Sequence, residues 1–323
     1  MNEFALIERF FRRAPRDPAV RIGIGDDGAV IAPTPATELV LSVDMLVEGR
    51  HFFAGTDPRR LGHKALAVNL SDLAAMGATP RFALLAGALP DADEAWLAAF
   101  CAGFQALADA FGVELVGGDT TRGPRNLCVT VMGEVPPGQA ITRSGAQPDD
   151  DIYVSGTLGD AALALAALQG TMALDRGALA AAQARLEMPA PRVALGQRLR
   201  GVATAALDVS DGLTGDLAHI LTSSGAGATI DLVALPRAPA LARMLDGSER
   251  ALALHCLLAG GDDYELCFTA NFAARERLVA LAAETGVPLT RIGAITAGRD
   301  LVVRDEHGRA LADVPQAFDH FSV

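Results

Sequence analysis

The chain changes its hydrophobic period as it runs. From Glu3 to Arg12 (EFALIERFFR) apolar residues recur at helical spacing, which predicts an amphipathic helix, and the stretch after it reads as loop. Glu38–Val43 (ELVLSV) and Phe82–Leu89 are apolar runs of strand length, while Arg59–Met76 and Ala92–Phe111 have helical spacing and composition. Val113–Val116 and Leu127–Val135 complete the first half as further strands. Pro136, Pro137 and Gly138 break the alternation, and more turn residues follow at Gln147–Asp151, so domains are expected at 1–137 and 148–323. The second half alternates again: strand Asp151–Ser155, helix Asp160–Gln169, strand Ala203–Val209 and helix Leu213–Ser223. Strands Ala228–Asp231, Tyr264–Thr269 and Leu301–Arg304 follow, and a two-domain α/β architecture suits a length of 323 residues.

Composition narrows the classes. Half the residues are hydrophobic and only 5% aromatic, so Ala, Leu and Val must fill the cores, as in helices packed on sheets. Mean hydropathy is positive, yet the densest apolar runs, Phe82–Leu89 and Ala161–Leu168, fall far short of the roughly 18–20 residues of a membrane span. Glu3 and Glu8 interrupt the first apolar segment and no basic stretch precedes it, so it does not read as a secretion signal and a cytoplasmic location is expected. Cys101, Cys128, Cys256 and Cys267 form no CxxC pair and are expected as buried, reduced thiols. A formal net charge of -12 argues against nucleic acid as a partner. Polyphosphates remain open to such a chain if divalent cations stand between the two sets of negative charge.

Six short segments place Asp beside Gly or at the end of an apolar run: Gly25–Gly28, Ser42–Asp44, Asn69–Asp72, Gly117–Thr120, Asp208–Gly212 and Gly260–Tyr264. Each alone reads as a turn or a helix cap. Together they suggest carboxylates gathered at one place, where each pair about 5 Å apart would repel by about 3 kcal/mol at an effective dielectric near 20. A cation has to offset this. Asp oxygens, a Ser hydroxyl and backbone carbonyls are hard donors of the kind Mg²⁺ takes, and Mg²⁺ so held implies a phosphate-bearing substrate. Lys64 is the only lysine, and its segment LGHKA does not match a GxxxxGK[ST] phosphate loop; no protein-kinase Gly-rich loop is present either. Phosphates would therefore be held by metal, backbone amides and arginine. Arg143, among the small polar residues of ITRSG, is the arginine candidate, and Gly118 with Asp119 offers close backbone approach beside a carboxylate.

In order, GIGDDGAV, SVDMLVEGRHF, KALAVNLSDLAAMGATP, VGGDTTRG, ITRSGA, LDVSDGL and GGDDYELCF resemble the thiamine-monophosphate kinase family, within the superfamily of aminoimidazole ribonucleotide synthetase and selenophosphate synthetase. The likeness runs from about Glu3 to Phe321. It implies an α/β (α+β) two-domain fold whose N-terminal sheet pairs across a homodimer, ATP bound near the dimer interface, and direct transfer of its γ-phosphate to thiamine monophosphate. By the same resemblance, Asp27, Ser42, Val43, Asp44, Asp72, Asp119, Asp208 and Asp211 match metal-binding places, with Asp27, Asp44 and Asp72 as the catalytic set. Gly118, Asp119, Arg143 and Ser210 match ATP-binding places, and His51, Asp262 and Phe318, in the closing segment Ala317–Phe321, match places near the acceptor. Val43 stands where Thr is common, so a metal contact there would use its backbone carbonyl, and Met45 replaces a small polar residue. Another ATP-dependent synthetase of the superfamily, a metal-dependent phosphohydrolase and a non-catalytic nucleotide-binding module are the competing readings.

Overall fold

The computed structural model describes residues 3–318. They form two compact units, one made of the chain up to Leu73 with Ala78–Ala140, the other of Ala74–Gly77 with the chain from Ile141 onward.

The first unit opens with helix α1 (Glu3–Leu6), which widens into a π-helical stretch over Ile7–Phe11, so only part of the expected opening helix is α. Its other elements are β1 (Val20–Ile22), β2 (Val30–Ile31), β3 (Glu38–Val47), α2 (Pro58–Ala75), β4 (Thr79–Leu89), α3 (Glu94–Phe111), β5 (Glu114–Arg122) and β6 (Asn126–Val135). A four-stranded sheet runs in the order β3-β6-β4-β5, with β4 and β5 parallel and the other pairs antiparallel. Asp57 caps α2, its carboxylate accepting the Arg59 N–H at 2.7 Å, and Asp93 caps α3 through the N–H groups of Ala95 and Trp96. The two helices touch backbone to backbone where they cross. A Cβ on Gly62 would lie 2.0 Å from the Phe100 carbonyl oxygen, and one on Gly103 1.8 Å from that of Arg59, so only glycine fits at either place.

Alternation along β3 divides its side chains sharply. Val40 and Leu46 are buried, whereas Leu39, Leu41, Val43 and Met45 are each at least half exposed. On that second face, β1 and β2 cover one corner, where Val20 packs with Phe82 and Val116.

The second unit holds β7 (Asp151–Ser155), α4 (Asp160–Leu168), α5 (Arg176–Glu187), α6 (Val193–Leu199), β8 (Ala203–Val209), α7 (Leu213–Ser224) and β9 (Gly227–Asp231). It continues with α8 (Pro239–Leu245), α9 (Arg250–Leu258), β10 (Glu265–Ala270), α10 (Arg275–Thr285), β11 (Leu289–Thr296) and β12 (Leu301–Arg304). Six strands lie in the order β12-β9-β11-β7-β10-β8, antiparallel except for β12 beside β9. Leu and Val from β7 and β8 pack with Leu213, Leu217 and Ile220 of α7 and with Leu257 and Leu258 of α9 in its main core.

Several elements escape a reading of periodicity. Helices α5, α6, α8, α9 and α10 are short or Ala-rich and lack a sustained apolar stripe, and β11 carries Arg291 and Gly293 inside its run. β5 also continues past Val116 through the glycines to Arg122. Cys101, Cys256 and Cys267 are buried free thiols, burial pushing the first two up to about 12, but Cys128 is only half-buried because its strand position faces the partly open side of the sheet. No helix among the described residues is long and apolar enough to cross a membrane.

Candidate active site

In the first unit, the side chains of β3 that alternate with its exposed apolar row meet α2. The Ser42 hydroxyl donates to Asp72 Oδ2 at 2.5 Å, and the Asp44 N–H donates to Asn69 Oδ1 at 2.9 Å. Asn69 Nδ2 in turn donates to the Ala65 carbonyl at 3.0 Å, fixing which way the amide points. Asn69 and Asp72 stand three residues apart on α2 and so share a face. Ser42, Asp44 and Asp72 are thereby brought together at the strand–helix seam. The Cys128 thiol is raised by burial and then by the nearby Asp44 charge.

Just past β3 the chain folds back at residues 47–52. His51 Nδ1 accepts the Val47 N–H at 2.9 Å, so in the neutral ring the proton sits on Nε2. Lys64, buried on α2, donates to the His51 carbonyl at 3.3 Å and braces this turn.

Four expected residues do not join that group. Register aligns Met45, Cys128, Ala86 and Asp119 across the four strands, one row beyond Asp44. Asp119 therefore lies three strand spacings from β3, about 14 Å along the sheet. Gly118 has a structural reason for its identity, because a Cβ there would lie 1.9 Å from the Leu85 carbonyl oxygen of β4. Asp27 lies in the exposed connection between β1 and β2, its N–H bonded to Asp26 Oδ1 at 3.0 Å. Val43 points its side chain into the exposed apolar row rather than toward α2.

In the second unit the expected residues converge on one turn. Buried Asp208 is the last residue but one of β8, and past Val209 the chain turns through Ser210, Asp211 and Gly212 into α7. The N–H groups of Ser210, Asp211 and Gly212 all donate to Asp216 Oδ2, at 3.0, 3.0 and 3.1 Å. The Ser210 carbonyl accepts the Asp262 N–H at 2.8 Å and the Asp211 carbonyl accepts the Phe318 N–H at 3.2 Å. Asp262 sits in the left-handed region (φ 69°), a conformation Asp tolerates better than most residues, and a Cβ on Gly261 would lie 2.3 Å from the Ser210 carbonyl oxygen. The Phe318 ring is half exposed. Asp319, His320 and Phe321 lie outside the described residues. Exposed Arg143 belongs to a loop on edge strand β8, where the Ala206 N–H donates to the Thr142 carbonyl at 3.0 Å.

Behind this turn lies a buried polar layer. Glu265, fully buried, accepts hydrogen bonds from Arg185, Arg192 and Ser155. Asp263 accepts the Gly159 N–H at 2.7 Å at the start of α4, and complete burial raises its carboxyl well above the usual range. Burial likewise raises Asp216, to about 7, against the lowering effect of its three N–H donors.

Among the described residues, no three Asp, Glu, His or Cys side chains enclose a common point as a closed metal cage would. The oxygen donors at Ser42, Asp44 and Asp72 still fit Mg²⁺, which takes one or two carboxylates and fills its octahedron with water and substrate phosphate. Asn69 and Asp216 were missed as contributors. The signal for Asn69 was its place three residues before Asp72. Asp216 stands in the first turn of a helix, where a carboxylate is also an ordinary complement to the helix dipole.

Residues 25–135 match the family described as AIR synthase related protein, N-terminal domain, and residues 147–306 its C-terminal domain, which makes this a two-domain AIR synthase related chain. Thiamine-monophosphate kinase of Salmonella typhimurium is 44% identical over 324 residues, covering 99% of this chain and 98% of that protein. The Bacillus subtilis enzyme of that name is 35% identical, with 91% of each chain covered. The crystal structure of thiamine-monophosphate kinase from Stenotrophomonas maltophilia superposes with a TM-score of 0.87 at 48% identity, covering 96% of this chain and 98% of that one. A structure of AaThiL complexed with AMPPCP and TMP gives 0.78 at 30% identity, with 92% of each covered. The chain belongs to the thiamine-monophosphate kinase family.

Proposed function

We propose that this chain transfers the γ-phosphate of ATP directly to the phosphate of thiamine monophosphate, giving thiamine diphosphate and ADP in the biosynthesis of that cofactor. The observation that carries the reading is the Ser210–Gly212 turn, whose carbonyls hold Asp262 and Phe318, so that main-chain hydrogen bonds tie nucleotide-side residues to acceptor-side residues. Its likeness to AaThiL complexed with AMPPCP and TMP supports the same pair of ligands.

The acceptor is already an anion, so attack needs no strong base, and the barrier lies in bringing two polyanions into line. Ser42, Asp44 and Asp72 are the residues that would hold Mg²⁺ in the first unit, with Asp27, Asp119, Asp208 and Asp211 as the further metal-side carboxylates. When bound, Mg²⁺ neutralises phosphate charge and orients the transferring group. Arg143 steadies the triphosphate, and Gly118 and Ser210 lie against the nucleotide. His51 and Asp262 lie beside the acceptor, and the half-exposed Phe318 ring stacks on the thiamine heterocycle. Val43 serves the apolar face of β3; any metal contact from it is through the backbone carbonyl. This reading places the chain in the cytoplasm.

The unbroken exposed row Leu39, Leu41, Val43 and Met45 supports a homodimer in which a second copy covers this face. Leu41→Glu is expected to turn a dimer into a monomer in sedimentation velocity; a monomeric wild type would remove the dimer from the proposal. Incubating the protein with Mg²⁺, ATP and thiamine monophosphate should yield thiamine diphosphate by chromatography, with no label retained on the protein from γ-labelled ATP. Phosphate release that ignores the acceptor would favour a phosphohydrolase, and ATP binding without product would favour a regulatory module.

A further inference from the structure

We infer that Asp216 is a positioning residue for phosphoryl transfer, shaping the turn that carries Ser210 and Asp211 and, through that turn, fixing where Asp262 and Phe318 stand. The inference rests on the kinase reading above and deepens it. Asp216 is buried in the first turn of α7, and one of its oxygens receives three successive backbone N–H groups, those of Ser210, Asp211 and Gly212. With three donors on Oδ2, this carboxylate is an internal anchor rather than a ligand for nucleotide or metal.

The other faces of the turn are equally constrained. Gly212 has φ +117°, and a Cβ there would lie 2.6 Å from the Ala259 carbonyl carbon, so the turn is pressed against the end of α9. The Thr214 hydroxyl, two residues on, donates to the Leu258 carbonyl at 2.8 Å. The N–H groups of the turn thus converge on one side chain, while its carbonyls reach out to Asp262 and Phe318. Removing Asp216 would let the peptide planes of residues 210–212 rotate, and both the carbonyl contacts and the directions of the Ser210 and Asp211 side chains would change with them. Displacements of about 1 Å are enough to slow an aligned transfer about a hundredfold.

The test compares wild type, Asp216→Ala and Asp216→Asn for kcat, KM for ATP, the Mg²⁺ midpoint of activity and Tm. Asp216→Ala is expected to lower kcat about a hundredfold and to raise the Mg²⁺ midpoint about tenfold. Asp216→Asn keeps an acceptor oxygen but loses charge-assisted bonding, so it should fall only about three- to tenfold in kcat, at a Tm close to wild type. In an Asp211→Ala background, adding Asp216→Ala should leave the Mg²⁺ midpoint unmoved, since both act through one ligand. A purely structural role predicts a lower Tm with wild-type kcat and Mg²⁺ midpoint in both variants, and that result overturns the inference. If the Ala variant does not fold, the Asn variant decides on the same two kinetic readouts. A wild type that forms no thiamine diphosphate brings down the kinase reading and this inference together; an active wild type matched by its variants brings down the role of Asp216 alone.

Discussion

The two groups of candidate residues, one in each unit, are held in place by different means. On β3 and α2 the groups hold one another through side chains: Ser42 donates to Asp72, and the Asn69 amide fixes the backbone at Asp44. In the turn after β8 the frame is main chain, its N–H groups on Asp216 and its carbonyls on the N–H groups of Asp262 and Phe318. Changing a side chain in the first region therefore disturbs its neighbours. In the second, replacing Asp211 alone removes a charge and leaves the frame standing.

The largest effect expected from this contrast is at Asp72. Asp72→Asn keeps an oxygen for the Ser42 hydroxyl but removes the charge, so kcat should fall by about a thousandfold or more while Tm changes little. Near wild-type turnover at saturating Mg²⁺ would remove Asp72 from the machinery. Asn69→Ala tests the coupling itself: freeing the Asp44 backbone should cost about tenfold to a hundredfold in kcat with every carboxylate still present. An unaffected rate would mean that β3 holds Asp44 without help and that the two regions are less different than they look.

The sequence carried much of this, unevenly. Strands with clear apolar runs were legible, as was α3, where burial on one face imposes a period; α2, buried on nearly every side, was legible by its length and composition. The Asp and Gly segments were legible as candidates because few other residue types suit hard-cation ligation beside a tight backbone. Strand order was not: nothing in the spacing of Asp44 and Asp119 says that they stand on opposite edges of a sheet, since that depends on β4 and β6 inserting between them. Gly118 carries a demand of a related kind that the sequence does not show, its small size being required by the Leu85 carbonyl of the neighbouring strand. Asp216 was hidden because a carboxylate that organises backbone from within a helix has the same local signature as one facing water.

The buried layer behind the second region offers a stability test of similar kind. Glu265 has no exposed surface and faces two arginines and a serine, so Glu265→Ala leaves uncompensated cations and should cost about 3–5 kcal/mol in denaturant unfolding. A loss below about 1 kcal/mol would mean that water or another acceptor takes over, as at an exposed pair.

The smallest effect concerns Asp263, where the sign matters more than the size. Burial raises its folded-state pKa well above the ordinary 3.8, so the folded carboxyl stays neutral over a range in which the unfolded one is ionised. Its contribution to stability is fully present below the unfolded value and is lost as pH rises toward the folded one, by up to about 1.4 kcal/mol per pH unit. Asp263→Asn keeps an oxygen for the Gly159 N–H and has no proton to lose. Relative to wild type, the variant should therefore fare better at pH 8 than at pH 5 in urea midpoint. The opposite trend would show that Asp263 is charged in the fold, held by its N–H donors and Arg185 against burial, and that this layer resembles the ion-paired carboxylates elsewhere in the unit.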